Sequence, residues 1–344
     1  MLPSIARIID ANFNRAREAL RVMEDYARFV LDDPAGCESL KRFRHELAAI
    51  LKRFPAEELL VARDTPGDVG TQITTAAERE RDDAQSVCVA AAKRLPEALR
   101  TIEEYAKTVD TDLAAAVEAL RYRSYSLEQQ LLLRGERSGR FARVRLYVIV
   151  TASLCRKDWF DTAADVVASG AGCLQLREKD LESGELVQRA RRLASFCREH
   201  GTIFIVNDRP DVAALSDADG VHIGQTDMSV ADARRIVGPR RLIGKSTHTP
   251  EQLHAALAEG PDYVAVGPMF PSTTKPQDHV PGPPLLELAG HQTTMPVVAI
   301  GGITLGNVDQ LRAAGGKCIC VCSAVISDPD PRTAAERFLP AKQV

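Results

Sequence analysis

Two aspartates and three basic residues stand where they could together bind a metal ion and phosphate groups. Asp208 follows a short apolar run, and Asp227 ends the segment GQTD. Two carboxylates together with substrate phosphate oxygens form a common type of Mg²⁺ site. Arg177, Lys179 and Lys275 would add positive charge around the same point. Metal and cations together suit a diphosphate leaving group, whose negative charge must be stabilised as it departs.

Each of these residues could also have a purely structural role. Asp227 precedes a stretch resembling a helical capping box, so it could serve only a helix N-terminus. Asp208 precedes Arg-Pro and could be a turn residue, while Lys179 alone could be a solvated charge. His222 and His248 are expected to be packed or supporting groups rather than catalytic bases, because no nucleophile accompanies them at a recognisable spacing.

The elements that must position these residues are short β-rich segments alternating with amphipathic helices, the pattern of βα units. Eight strands are predicted, at 146–151, 173–178, 203–208, 220–224, 242–247, 263–268, 296–302 and 318–325. This number in about 200 residues predicts an α/β fold of the (β/α)₈ TIM-barrel type rather than an open doubly wound sheet. No GxGxxG motif opens the first helix, which argues against dinucleotide binding.

In a TIM barrel the active site lies at the carboxyl ends of the strands. The polar residues of this sequence gather at the predicted strand ends, at Gln175, Arg177, Lys179, Asn207, Asp208, Asp227, Ser246, Ser272, Thr273, Thr274, Lys275 and Ser323. Gly302 and the backbone near Ser323 occupy the usual phosphate site after strands 7 and 8, where small residues let N–H groups approach an anion. Two anion sites are therefore predicted, one for a metal-assisted diphosphate and one for a monophosphate.

Residues 1–133 are predicted to be helical nearly throughout, with a break at 63–71 where Pro and Gly favour a loop. The sequence EALRVMEDYAR at 18–28 reappears as EALRTIEEYAK at 97–107, an offset of 79 residues. The same offset relates Arg42-Phe43-Arg44 to Arg121-Tyr122-Arg123. Two matches at one offset indicate an internal duplication. The polar, basic segment 134–145 is predicted to be a linker, so an all-α domain at 1–133 precedes the barrel at 146–344.

Composition excludes several classes of function. The formal net charge of −3 shows no basic excess, so nucleic acid is not an expected partner. The apolar runs are too short to span a bilayer, and the N-terminus lacks the apolar region of a signal peptide. Eight cysteines are scattered without a CxxC pair or a metal-ligand spacing. Cys318, Cys320 and Cys322 alternate and are expected on one buried face of a strand. A reducing, cytoplasmic setting is favoured.

The barrel motifs resemble, in order, those of the thiamine-phosphate synthase family. They are QLREK (175–179), ND (207–208), HIGQTD (222–227), GKST (244–247), GPMFPSTTK (267–275) and AIGGIT (299–304). The resemblance covers about 145–327. A thiazole tautomerase shares this fold but needs no diphosphate machinery, so the charged residues favour the synthase. Ser272 stands where the family commonly has Thr, and Lys245 replaces a usually apolar residue.

The resemblance implies a role for each site residue. Those that would bind 4-amino-2-methyl-5-hydroxymethylpyrimidine diphosphate are Gln175, Arg177, Lys179, Asn207, Ser246 and Lys275. Those that would bind (carboxy)thiazole phosphate are Ser272, Thr273, Thr274, Gly302, Cys322 and Ser323, the last two aligned by position only. Asp208 and Asp227 would hold one Mg²⁺. The family reaction is dissociative: diphosphate leaves, the thiazole nitrogen captures a pyrimidine-methyl cation, and a carboxylated thiazole also loses CO₂.

The N-terminal half resembles a helical extension fused to some synthases and related to a hydroxymethylpyrimidine phosphate kinase. The resemblance rests on 7–25, 40–47 and 63–71, and it implies production of the diphosphate substrate with ATP and Mg²⁺. No Walker A motif is present. The arginines that could bind phosphate or form a solvated face are Arg15, Arg21, Arg42 and Arg44.

Several alternatives stay open at this stage. The helical half could be a kinase or a non-catalytic scaffold for dimerisation or docking. The barrel could be an enzyme or a regulatory protein that binds thiamine phosphates, although its full set of cations and carboxylates disfavours regulation. The expected partners are small pyrimidine and thiazole phosphates, and the sequence leaves open whether the chain forms a homo-oligomer.

Overall fold

A computed structural model describes residues 1–69, 80–272 and 279–340 of the chain. The chain divides into two compact units, Met1–Gly135 and Glu136–Val344. Three predicted site residues, Thr273, Thr274 and Lys275, lie outside the described residues. The segment 134–145, predicted as a linker, contains the unit boundary and is helical as far as Phe141.

The first unit is built from helices, as the sequence predicts. The helices are α1 (Pro3–Phe29), α2 (Pro34–Leu51), α3 (Ala56–Val61), α4 (Ala84–Ala106) and α5 (Thr111–Phe141), whose last residues belong to the second unit. Proline begins α1 and α2, at the first helical position, where a backbone N–H has no partner within the helix. The side chain of Asp83 caps α4 by accepting a hydrogen bond from the backbone N–H of Ser86. No helix in the described ranges is long and apolar enough to cross a membrane.

The two copies of the repeat lie on α1 and α4, and they bury equivalent positions. The buried pairs related by the 79-residue offset are Ala19 and Ala98, Leu20 and Leu99, Met23 and Ile102, Glu24 and Glu103, and Ala27 and Ala106. The ion pairs of the two copies are partly equivalent. Glu24 lies 3.6 Å from Arg21, and Glu103 lies 2.5 Å from Arg100 at the equivalent position. Glu24 also contacts Arg44 at 3.3 Å, whereas Glu103 contacts Arg121, the counterpart of Arg42, at 2.7 Å. The shared burial and the repeated ion pair support a duplication.

The second unit is a closed barrel of parallel strands, which confirms the predicted fold class. The strands are β1 (Leu146–Val150), β2 (Cys173–Leu176), β3 (Ile203–Asn207), β4 (Gly220–Ile223), β5 (Leu242–Thr247), β6 (Tyr263–Val266), β7 (Val297–Ile300) and β8 (Cys318–Val321). Each strand pairs with the next, and β8 pairs with β1. Every strand lies within one of the eight predicted segments, because the βα period is strong in this half.

The helices of this unit cover the outside of the barrel. They are α6 (Trp159–Ala168), α7 (Ser183–Glu199), α8 (Pro210–Leu215), α9 (Val230–Val237), α10 (Pro250–Glu259), α11 (Pro283–Gln292), α12 (Val308–Ala313), α13 (Ser323–Ile326) and α14 (Pro331–Glu336), with a short 3₁₀ turn at Ala152–Leu154. Strand side chains alternate between two cores. Val148 and Phe204 pack outward against the helices, while Tyr147 and Ile205 pack inside the barrel.

The interior of the barrel is filled by aliphatic, aromatic and thiol side chains. Phe141 stacks on Tyr263 with ring centroids 3.9 Å apart. Gly244 faces the same tyrosine, and a Cβ there would lie 2.1 Å from the ring, so only glycine leaves room for it. Cys318 and Cys320 belong to this inner cluster. Their burial on one face of β8 confirms the expected alternation for these two residues, whereas Cys322 follows the end of the strand and is only partly buried.

Lys245, the charged residue that the family pattern does not explain, points outward from β5. Its side chain is almost fully buried, and its Nζ lies 3.8 Å from Oε2 of Glu259 at the end of α10. The same carboxylate oxygen accepts the backbone N–H of Val230 at 3.0 Å. Lys245 is therefore part of a structural ion pair between the sheet and two helices, away from the barrel mouth.

Candidate active site

A cavity of about 460 Å³ opens at the carboxyl ends of the strands. Eight residues that the sequence singled out line it: Gln175, Arg177, Asn207, Ser246, Ser272, Gly302, Cys322 and Ser323. They come from strands or loops spread around the barrel, and closure of the sheet brings their ends to one mouth. The barrel topology therefore assembles residues that are far apart in the sequence.

The two aspartates meet beside this cavity. Asp208 directly follows the cavity-lining Asn207 and adopts a left-handed backbone conformation with φ 59°, which is uncommon outside glycine. Burial raises the pKa of the Asp208 carboxyl above its ordinary range, and the negative charge of Asp227 raises it further. Lys179 lies 3.7 Å from the Asp208 carboxylate and opposes this shift. The three side chains form one interacting group.

Asp227 does not act as the helix cap that its position in the sequence allowed. The cap of α9 is Ser229, whose hydroxyl accepts the backbone N–H of Asp232 at 3.1 Å. One oxygen of Asp227 instead accepts the backbone N–H of Gly224 at 2.6 Å. This bond holds the carboxylate within the loop after β4, where it faces Asp208.

The aspartate pair fits a Mg²⁺ ion. Both ligands are hard carboxylate oxygens, and a divalent cation would relieve the repulsion that raises the pKa of Asp208. Among the described residues, no group of three or more His, Cys, Asp or Glu side chains could enclose a metal. Mg²⁺ usually keeps water and binds substrate phosphate oxygens in addition to one or two carboxylates.

A chain of hydrogen bonds runs beneath the cavity through the barrel interior. Nε2 of Gln175 donates to the hydroxyl of Tyr147 at 2.6 Å, and that oxygen lies 3.1 Å from the hydroxyl oxygen of Tyr263. The Tyr263 hydroxyl lies 3.1 Å from Nδ1 of His222. Nε2 of His222 lies 2.9 Å from Oγ of Ser246. Gln175 and Ser246, the two ends of this chain, line the cavity, and so does His222.

Small residues form the opposite wall of the cavity. Gly302 has φ 66°, and a Cβ there would lie 2.3 Å from the carbonyl oxygen of Phe270. The side-chain amide of Asn307 donates to the carbonyl of Gly302 at 2.9 Å and fixes the loop. Cys322 lines the cavity beside Ser323, and burial raises the pKa of its thiol to about 11. This wall lets backbone approach a bound anion closely.

Sequence reasoning missed several residues of the site. Tyr147 and Tyr263 lie in predicted strands at inward positions, and their period-two spacing was the signal that could have identified them. Ile149, Ile300 and Ile303 give the cavity an apolar part, which the charged motifs of the sequence do not indicate. His222 and His248, which the sequence predicts to be supporting groups, both line the cavity. His222 is buried, and Nδ1 of His248 lies 2.5 Å from the carbonyl oxygen of Gly267.

A family model described as thiamine monophosphate synthase matches residues 146–325, slightly more than half of the chain. The chain belongs to the thiamine monophosphate synthase family. This membership confirms the prediction of a synthase, and therefore of a transferase, from the barrel motifs. The tautomerase-like and purely regulatory alternatives are not supported by it.

Two thiamine-phosphate synthases align with nearly the whole chain, and a solved structure aligns with slightly more than half of it. The chain is 40% identical to the thiamine-phosphate synthase of Rhodopirellula baltica, over 94% of this chain and 88% of the relative. It is 38% identical to that of Synechocystis sp., over 98% of this chain and 96% of the relative. A solved thiamine phosphate pyrophosphorylase from Pyrococcus furiosus is 34% identical, with a TM-score of 0.54, covering 58% of this chain and 95% of that one.

The helical half of the synthase has a match of its own. A model described as the ThiD2 family matches residues 7–130. This range contains all three segments on which the resemblance to a kinase-related extension rests. The match supports a kinase-like module in the first unit.

Proposed function

We propose that the barrel joins 4-amino-2-methyl-5-hydroxymethylpyrimidine diphosphate to a (carboxy)thiazole phosphate, forming thiamine phosphate and releasing diphosphate. The observation that carries the proposal is that Asp208 and Asp227 meet beside the cavity that Gly302 lines. The two carboxylates with nearby cations would form one anion site, and the wall at Gly302 would form the other. Family membership supplies the reaction class.

The side chains around the aspartate pair would take the diphosphate. Arg177 and Asn207 line the cavity, and Lys179 lies next to Asp208. Asp208 and Asp227 would hold Mg²⁺, which supplies positive charge to the departing diphosphate when bound. The remaining ligands of this substrate would be Gln175, Ser246 and Lys275, of which Lys275 lies outside the described residues.

The opposite wall would take the thiazole phosphate. Gly302, Cys322 and Ser323 line the cavity there, together with Ser272. Thr273 and Thr274 keep the same proposed role but lie outside the described residues. A hydroxyl at position 272 preserves the donor that threonine would supply in related chains.

The chemistry of the lining suits a dissociative reaction. Cys322 lines the cavity and carries a thiol, yet its pKa of about 11 keeps that thiol protonated and weakly nucleophilic near neutral pH. Arg177, Asn207 and Lys179 instead offer electrostatic stabilisation for charge that separates when the diphosphate leaves. The thiazole nitrogen would then capture the pyrimidine-methyl cation without a covalent enzyme intermediate.

Turnover with defined substrates tests this proposal. The full chain is incubated with the pyrimidine diphosphate, the thiazole phosphate and Mg²⁺, and thiamine phosphate and diphosphate are both quantified. We expect equal amounts of the two products, loss of turnover on chelation and recovery when Mg²⁺ is restored. Absence of diphosphate release above background from the folded protein would reject the synthase activity.

We further propose that the helical unit converts the hydroxymethylpyrimidine monophosphate to the diphosphate, using ATP and Mg²⁺. The ThiD2 match supports this assignment. Two of the segments behind the resemblance also meet in space. Arg63 binds both carboxylate oxygens of Asp10 at 2.6 and 2.9 Å, and Arg7 donates to the carbonyl of Asp64 at 2.7 Å. The contacts gather charged groups from both segments at one end of α1.

A barrel-inactive form of the full chain isolates this activity. The Asp208→Asn variant is supplied with monophosphate, ATP and Mg²⁺, so that any diphosphate formed accumulates. Kinase activity predicts equal formation of ADP and pyrimidine diphosphate. ADP and diphosphate at background levels, with the circular dichroism of the wild type, would favour the non-catalytic scaffold.

The same proposal includes a reducing environment for the protein. All eight cysteines lie in the described residues, and each is a free thiol. Free thiols and small phosphorylated metabolites fit a reducing cytoplasm.

A further inference from the structure

We infer that the hydrogen-bond chain beneath the cavity runs in one direction, presenting Gln175 to the substrate as an acceptor and Ser246 as a donor. Tyr147, Tyr263 and His222 are then positioning residues that connect the two ends. The inference rests on the proposed function, because it names the part of the pyrimidine diphosphate that each end recognises.

Burial leaves the members of this hydrogen-bond chain little freedom to exchange partners. The exposed fraction is 2% for Gln175, 2% for Tyr147, 0% for Tyr263 and 7% for His222. A buried polar group that loses its hydrogen-bond partner costs more than the bond itself contributes, so each member must keep its partner. Water cannot easily replace a missing neighbour in the barrel interior.

The direction follows from counting protons. Tyr147 accepts the amide N–H of Gln175, so its single hydroxyl proton is directed to the Tyr263 oxygen. The Tyr263 proton is in turn directed to Nδ1 of His222. A neutral imidazole that accepts at Nδ1 carries its proton on Nε2, and donates it to Oγ of Ser246. Ser246 therefore keeps its own proton for another acceptor.

This direction gives the two cavity-lining ends opposite properties. Gln175 uses its amide nitrogen inside the chain, which leaves its carbonyl oxygen to accept from a ligand. Ser246 accepts inside the chain, which leaves its hydroxyl to donate. An exocyclic amino group is a donor, and a diphosphate oxygen is an acceptor. An aminopyrimidine that carries a diphosphate matches both ends, with its amino group at Gln175 and a diphosphate oxygen at Ser246. A reversed chain would present a donor at Gln175 and an acceptor at Ser246, and would not fit that placement.

The tautomer of His222 tests the direction independently of catalysis. Two-bond ¹H–¹⁵N spectra of the full-length protein, with labelled histidine, distinguish a protonated from an unprotonated ring nitrogen. The His222→Gln variant identifies the signal among the seven histidines. We expect the proton on Nε2 of His222. A proton on Nδ1 would mean that the chain runs the other way, and would overturn the inference even if the synthase activity is confirmed.

Kinetics test the coupling between the two ends. Tyr263→Phe removes one hydroxyl from the middle of the chain, and loss of a net hydrogen bond is expected to raise the KM for the pyrimidine diphosphate about tenfold. The KM for thiazole phosphate should stay within about twofold, the experimental scatter of such constants. Tyr105→Phe, on the helical unit and partly exposed, is the matched control.

Two further outcomes distinguish a directional chain from mere packing of Tyr263 in the barrel core. Equal rises in both KM values, or a fall in kcat alone, would indicate a purely structural role for Tyr263 and overturn the inference. If the wild type forms no thiamine phosphate, the proposed function fails, while the tautomer of His222 still reports the direction of the chain. If the inference is right, the spectrum of Tyr263→Phe also shows a mixture of the two His222 tautomers in place of the single one.

Discussion

The ammonium group of Lys179 lies 3.7 Å from the carboxylate of Asp208, which also interacts with the carboxylate of Asp227. The lysine side chain is more than half exposed, so it is held only loosely by this contact. A group so placed can leave the carboxylate when a metal ion binds there and remain within reach of the diphosphate. We therefore expect Mg²⁺ to displace Lys179 from the aspartates. Both cations would then stabilise the negative charge of the diphosphate.

Asp208→Asn should abolish most of the synthase activity. The substitution removes one of two carboxylates in the proposed metal site, so diphosphate release should fall at least about 100-fold. The Mg²⁺ concentration for half-maximal rate should also rise. Asp309→Asn, on the outer helix α12 and highly exposed, is the matched control. An unchanged rate and Mg²⁺ dependence in Asp208→Asn would rule out the metal role.

Gly302→Ala should weaken binding of the thiazole phosphate. The added Cβ would lie 2.3 Å from the carbonyl oxygen of Phe270, and the φ of 66° disfavours alanine, so the loop must move. We expect the KM for thiazole phosphate to rise at least about tenfold, since each 1.4 kcal/mol corresponds to a factor of ten. Gly306→Ala, whose Cβ would meet only ordinary contacts, should leave that KM unchanged. Equal KM values for both variants would contradict the assignment of this wall.

The thiol of Cys322 should react slowly with iodoacetamide despite lining the cavity. Burial raises its pKa to about 11, so at pH 8 only about one thiol in a thousand is the reactive thiolate. The alkylation rate should rise about tenfold per pH unit below that pKa. Mass spectrometry of the peptide containing Cys322 measures it. Denatured protein is the control, and rapid labelling of the native protein at pH 8 would contradict the raised pKa.

Glu259→Gln should destabilise the barrel more than Lys245→Met. The glutamine leaves the buried Lys245 ammonium without its carboxylate, whereas the methionine removes the buried charge. Glu259 is one-third exposed, so we expect a loss of about 1–3 kcal/mol in the free energy of unfolding, below the cost for a fully buried pair. Lys245→Met should cost less than about 1 kcal/mol. Urea unfolding of both variants measures the difference, and the reverse order would reject the ion pair.

Much of the fold could be predicted because its signals are local. The alternation of Cys318 and Cys320 in an apolar run indicates one buried face of a strand, and both residues lie inside the barrel. The segments after β3 and β4 carry Asp208 and Asp227, and the barrel rule alone places neighbouring strand ends together. Periodicity and topology were sufficient for this part of the candidate site.

Other features depend on contacts that no local pattern records. Tyr147 and Tyr263 are separated by 116 positions, and their hydroxyl contact exists only because the barrel closes. Asp208 adopts the left-handed conformation that aspartate tolerates better than most residues, but no local pattern marks it as the aspartate that does so. Lys245 looked anomalous because its partner, Glu259, lies on a helix beyond the strand. Sequence periodicity identifies the positions that point inward, but it does not identify which of these side chains contact each other.

Gly244 and Tyr263 are direct partners in the register of β5 and β6, and the ring occupies the volume that any side chain at Gly244 would need. Their evolution should therefore be linked. A lineage that acquires a larger residue in place of the glycine must first, or at the same time, reduce the tyrosine. Substitutions at the two positions should appear as correlated changes, and either one alone should be rare. The glycine of the GKST motif would then be retained because it packs against Tyr263 in the barrel core, and not because it contacts a substrate.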